Sequence, residues 1–138
     1  MQNIYYEIWV DAIVWEKSTN GQRRNWKAFT LIPLSLCQGI NLLTLAFWIA
    51  PLTKNSFSIF IDFTVFNSKI LNSFLSYAVT LLIPFLFFNY FLVLYRDRYE
   101  SLVKKYKYHK GKLYLWYFLL SIGVFIIPII IGMILGKI

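Results

Sequence analysis

The chain has 138 residues, of which 59% are hydrophobic and 20% are Phe, Trp or Tyr, while only 14% are charged. A single domain of this size cannot enclose that much apolar surface in water, so the composition excludes an ordinary soluble fold. The formal net charge is +8, and half of the 14 Lys and Arg residues fall in one stretch, "RDRYESLVKKYKYHKGK", residues 96–112.

In chain order the first element is "IYYEIWVDAIVWE", 4–16. It is apolar nearly all round, except that Glu7 and Asp11 lie one turn apart and so share a face. The expectation is a short N-terminal helix that lies in the membrane interface or packs on the basic stretch, where the acidic pair would meet Lys or Arg. The segment lacks a basic leader region and has Glu7 and Asp11 inside its apolar stretch, so it does not read as a cleavable signal. "STNGQRRN", 18–25, follows as a polar turn around Gly21.

No charged residue occurs in 28–53, 70–95 or 113–136, gaps of 26, 26 and 24 residues. At about 1.5 Å rise per residue each can cross a hydrocarbon layer of roughly 30 Å. The predicted fold is an all-α integral membrane protein forming one membrane domain over 1–138. Its transmembrane helices are expected at 28–50, 71–95 and 113–136, the second continuing to about 107 in the cytosol before Gly111 stops it. Trp26 and Trp48 bracket the first span, Tyr95 closes the second, and Tyr114, Trp116 and Tyr117 open the third, as interfacial aromatics do. Between the first two spans, 51–69 contains "FSIFIDFTVF", mostly apolar yet too short to cross, with Asp62 its only acid. It reads as an aromatic segment along the outer headgroup layer, with a re-entrant element or a short strand pair as alternatives.

Lys17, Arg23, Arg24 and Lys27 precede the first span and seven more cations lie in 96–112, 11 in all, against 3 on the other side: Lys54, Lys69 and Lys137. Short loops rich in Lys and Arg stay in the cytosol, which orients the N-terminus inside and the C-terminus outside. The excess of Lys over Arg, 10 against 4, with abundant Ile, Phe and Asn, reads as an AT-rich bacterial genome, so the bacterial inner membrane is the expected location.

Chemistry-bearing constellations are sparse. One Cys (Cys37) and one His (His109) give no metal-ligand spacing and no nucleophile with a general base, so neither metal nor cofactor nor enzymatic activity is expected. Glu7 and Asp11 are the only acid/base couple, and the salt-bridging reading is preferred for them. More informative are polar residues inside the spans, because such groups are costly in lipid unless they face protein or water. Ser35, Gln38, Asn41 and Thr44 form a stripe in the first span, and Ser73, Ser76 and Thr80 share a face in the second. Pro33, Pro84 and Pro128 put one proline in each span. The stripe serves either helix–helix contact or a hydrated path. Three helices cannot enclose such a path alone, so a path implies self-association, with Gly132 and Gly136 a small-residue contact.

The basic stretch, Arg96, Arg98, Lys104, Lys105, Lys107, Lys110 and Lys112, is expected to orient the chain and attract anionic lipid, and to meet a small anionic ligand or a cytosolic protein. Nucleic acid is not expected, since a loop tethered at both ends to the bilayer offers no shaped platform. The leading functional expectation is a homo-oligomeric channel or membrane-permeabilising protein gated from this face. The alternative is a non-catalytic accessory or anchoring subunit of a larger membrane complex.

Overall fold

A computed structural model of the chain describes residues 3–19, 25–49 and 61–135. The elements are α1 (Ile4–Thr19), α2 (Trp26–Ile49), α3 (Lys69–Tyr77), a π-helical turn (Ala78–Leu82), α4 (Ile83–Asn89), a second π turn (Tyr90–Leu94), a 3₁₀ turn (Tyr95–Asp97), α5 (Arg98–Lys105) and α6 (Lys112–Ile134). No strand occurs among the described residues. Among the described residues three helical runs are long and apolar enough to cross a membrane: Trp26–Ile49, Lys69–Lys105 and Lys112–Ile134. The expected turn around Gly21, residues 51–60 of the apolar loop, and Gly136 lie outside the described residues.

Helix α2 is central and packs against α1, α4 and α6. It continues past Pro33, and α6 past Pro128, so neither proline ends its helix. Pro84 acts differently. It has no N–H to complete the ladder, and the turn before it widens, with the Ile83 amide reaching back five residues to the Ala78 carbonyl. Gly39 is where α2 and the second run touch: a Cβ there would lie 2.9 Å from the Leu81 carbonyl oxygen. Within the described residues, the close contact between these two helices rests on Gly39.

The well-buried core lies at the end of the bundle that carries the basic stretch. Trp9, Ala12 and Ile13 of α1 pack with Leu34, Val93 and Leu94, and Trp26, Tyr99, Leu102, Tyr114 and Tyr117 close around them. Fully burying side chains such as Trp9, Val10 and Ile13 contributes roughly 1.5–3 kcal/mol each, more than the hydrogen bonds described below. Apolar burial therefore seats α1, and polar contacts fix its register. Outside this core most of α6 is unburied, as expected of a helix whose solvent is lipid.

The second run does not continue straight to about 107. It breaks at Arg96 and Asp97, both left-handed, at φ 51° and 55°. This conformation is unfavourable by about 1–2 kcal/mol for each non-glycine residue. The break is held by Lys27 Nζ, 3.3 Å from Asp97 Oδ1, and by Arg98 Nη1, which donates to the Phe91 carbonyl at 3.2 Å. Beyond it α5 turns its apolar Tyr99, Leu102 and Val103 onto the core. α5 itself ends at Lys105, well before Gly111.

Within the described part of the apolar loop, 61–66 is not helical and lies along the polar face of α3 and the first π turn. Thr80 Oγ1 accepts from the Ile61 amide at 3.2 Å, Ser76 Oγ from the Phe63 amide at 3.1 Å, and Asn72 Oδ1 from the Val65 and Phe66 amides at 3.1 and 2.8 Å. Asn72, Ser76 and Thr80 recur every four residues, so one helix face presents three acceptors to alternate amides of an extended chain.

Candidate functional site

The basic end is assembled by α1. Gly111 occupies the N-cap position of α6 at φ 76° and has no side chain to satisfy the first-turn amides. Asp11 of α1 supplies the missing oxygens. Its Oδ1 accepts from the His109 amide at 2.7 Å and the Gly111 amide at 2.9 Å, and its Oδ2 from the Tyr114 amide at 3.0 Å. The carboxylate is fully buried, and the partial positive charge of the helix N-terminus compensates it. Gly111 is required twice over, because a Cβ there would stand 2.6 Å from the Trp15 ring. Glu7, one turn before Asp11, places Oε2 at 3.5 Å from His109 Nε2. The acidic pair thus meets backbone amides and a histidine; among the described residues no lysine or arginine is its partner. The reason is geometric: the turn at 109–111 lies over this face of α1, while the flanking lysines point outward.

A second set of contacts ties α1 to the spans. Asn89 is fully buried; its Nδ2 donates to Ser35 Oγ and to Gln38 Oε1, both at 2.8 Å, and its Oδ1 accepts from the Tyr5 hydroxyl at 2.8 Å. Burial pushes the Tyr5 phenol up to about 12. One turn along α2, Asn41 Nδ2 donates to Tyr117 Oη at 3.2 Å and Ser121 Oγ at 3.1 Å, joining α2 to α6. Thr44 bonds the Ile40 carbonyl of its own helix. With Ser76 and Thr80 holding the 61–66 segment, Ser73 is the stripe member that stays exposed. Asn89, Tyr5, Asn72, Tyr117 and Ser121 complete these networks and were not among the residues marked by spacing. A lone Asn inside "LLIPFLFFNYFLVLY" is itself a signal, since an unpartnered amide in a span is costly.

The third feature is a groove of about 440 Å³ between the C-terminal half of α1 and α5, with Ile13, Val14, Lys17, Glu100, Val103 and Lys104 among its lining residues. The Lys17 ammonium lies 4.3 Å from the Trp26 ring centroid and 4.4 Å from that of Tyr99, and the two rings meet edge to face at 4.9 Å. Lys27 lies farther from the same rings, at 5.8 and 5.4 Å. Burial lowers the pKa of Lys17, and Glu100 acts in the opposite direction. Among the described residues Lys17 has no carboxylate within ion-pair distance; the Lys/Arg–carboxylate pair found there is Lys27–Asp97.

Of the predicted basic residues, Arg96 lies over its neighbour Tyr95 at 5.2 Å and Lys105 over Tyr106 at 5.6 Å. Arg98 folds back on Phe91, Lys104 rims the groove, and Lys107, Lys110 and Lys112 are exposed around the turn before α6. The arrangement can bind anions and amphiphiles at a membrane boundary. Among the described residues no group of His, Cys, Asp and Glu could hold a metal ion. No protein-family model matches the chain, and neither a curated protein nor a solved structure is significantly similar to it.

Proposed function

We propose that the chain is a non-catalytic accessory or anchoring subunit of the bacterial inner membrane, with its N-terminus and basic stretch in the cytosol, where they receive an anionic partner. The observation that supports this is the direction in which the polar groups turn. Ser35, Gln38, Asn41, Ser76 and Thr80 bond within the chain, α1 lies across the basic end of the bundle, and exposed positive charge concentrates on Arg96, Lys104, Lys105, Lys107, Lys110 and Lys112. A chain built this way offers apolar helices to the bilayer and cations to the cytosol, which suits an anchor with a charged docking face. Crosslinking in native membranes followed by affinity purification tests it. A defined partner is expected to co-purify, and to be lost when Lys104, Lys105, Lys107, Lys110 and Lys112 are changed to Gln. Recovery of the chain alone in both cases removes the reading.

The exposed Ser73 on α3 favours a second reading, the homo-oligomeric channel gated from the basic face, in which several subunits would turn Ser73 toward a common axis. Dye or ion flux through liposomes containing the purified protein, lost in Ser73→Leu, would establish it over the anchor.

A further inference from the structure

We infer that the groove between α1 and α5 binds an anionic phospholipid, its phosphate between Lys17 and Lys104 and an acyl chain along Ile13, Val14 and Val103. Three independent features of the groove meet this ligand class. Its floor is apolar, and its cations come from both walls, Lys17 from α1 and Lys104 from α5. The Lys17 ammonium rests on the faces of Trp26 and Tyr99, which balance part of its charge but accept no hydrogen bond in the plane of an anion, so its remaining N–H donors are open to a phosphate. Its depth is that of a headgroup: Trp26 is the first residue of α2, and Tyr99 follows directly on the break that ends the second span. Trp and Tyr concentrate at this level of a bilayer, where lysine stems lie along apolar surface with the charge toward phosphates.

Burial lowers the pKa of Lys17, a cost to the ammonium that an adjacent phosphate would remove. Glu100 in the same groove acts against the ligand and makes the site weak unless both lysines contribute. A free anion would gain nothing from the Ile13, Val14 and Val103 floor, and a zwitterionic lipid would offset the lysines with its own cation. The anionic amphiphile satisfies both halves. The inference goes beyond the anchoring role and does not depend on it; it needs only that the three spans cross a bilayer.

The test is native mass spectrometry of the full chain in detergent, titrated separately with dioleoyl phosphatidylglycerol, dioleoyl phosphatidylcholine and inorganic phosphate. Phosphatidylglycerol is expected to bind at least about fivefold more tightly than phosphatidylcholine, and each of Lys17→Gln and Lys104→Gln to weaken it by about fivefold, the effect of one surface cation on an anionic headgroup. Val14→Trp, which fills the floor and keeps both lysines, is expected to weaken it as well, and Glu100→Gln to tighten it, a gain that a merely structural role would not produce. Lys69→Gln, at the opposite end of the bundle, is the control. Should Lys17→Gln unfold, Lys104→Gln and Glu100→Gln carry the test, since both side chains are exposed on α5. Equal retention of the two lipids, wild-type affinity in the Lys104 variant, or full displacement of phosphatidylglycerol by an equal concentration of inorganic phosphate would each overturn the assignment.

Discussion

The Asp11 carboxylate and the Gly111 amide, 100 residues apart in sequence, meet at 2.9 Å and join the first helix of the chain to the start of the last. An aspartate on one helix here serves as the N-cap of another, beside a glycine whose conformation the turn demands and whose missing side chain leaves room for Trp15. Asp11→Ala would strand three amides in a buried site. A loss of about 2–4 kcal/mol is expected, larger than for an ordinary cap because the amides cannot turn to water. Thermal unfolding in mild detergent measures it, and Asp11→Asn should fall between wild type and Ala.

Gly111 separates two causes of strain. Gly111→Ala meets both the left-handed backbone and the Trp15 ring at 2.6 Å, whereas the same change in a Trp15→Ala background meets only the first. The double variant should be less destabilised than the sum of the two singles, by about 1 kcal/mol or more. Strict additivity in the unfolding midpoints would mean that the ring simply moves aside.

Tyr5 and Asn89 give a pH signature. The folded chain holds the Tyr5 phenol up to about 12, above its ordinary value of 10.0, because burial disfavours the phenolate. The stability this proton-bound form confers is complete below pH 10 and is lost as pH rises from 10 toward 12, since only the unfolded chain releases the proton readily there. Wild type should therefore lose stability over that window more steeply than Tyr5→Phe. At neutral pH Tyr5→Phe should cost about 1 kcal/mol, and Asn89→Leu more, because it leaves Ser35, Gln38 and Tyr5 without their common partner.

Gly39 sets the approach of the first two spans. A methyl group there would lie 2.9 Å from a backbone oxygen, which cannot rotate away, so α2 and the second run must separate. Gly39→Ala should lower stability by about 1–3 kcal/mol, and Gly39→Leu should cost more. In contrast Gly123→Ala, whose added carbon comes no closer than 3.9 Å to Ile127, should be near neutral. Comparing the three by detergent melting distinguishes a specific contact from general glycine effects.

Much of this architecture is written in one dimension. Charge-free runs long enough to cross a bilayer coincide with the three helical runs that are long and apolar enough to do so: α2 begins at Trp26 where the pattern starts at 28, and α6 ends at Ile134 where it stops at 136. The physical reason is local, because in lipid a backbone must satisfy its own hydrogen bonds and a helix does so without reference to any other segment. The partners of the polar side chains were not legible in this way. Asn89 finds Ser35 and Gln38, Ser76 and Thr80 find amides of 61–66, and Asp11 finds the start of α6 only after the helices have packed. Spacing tells which residues share a face, whereas the neighbour of that face depends on how Gly39 lets two helices approach and how the left-handed Arg96–Asp97 break returns α5 to the core. The sequence by itself determined the solvent of each segment, through the transfer free energy of its side chains; tertiary structure decided whom each buried polar group meets, because a hydrogen bond requires a few ångströms of proximity that no periodicity encodes.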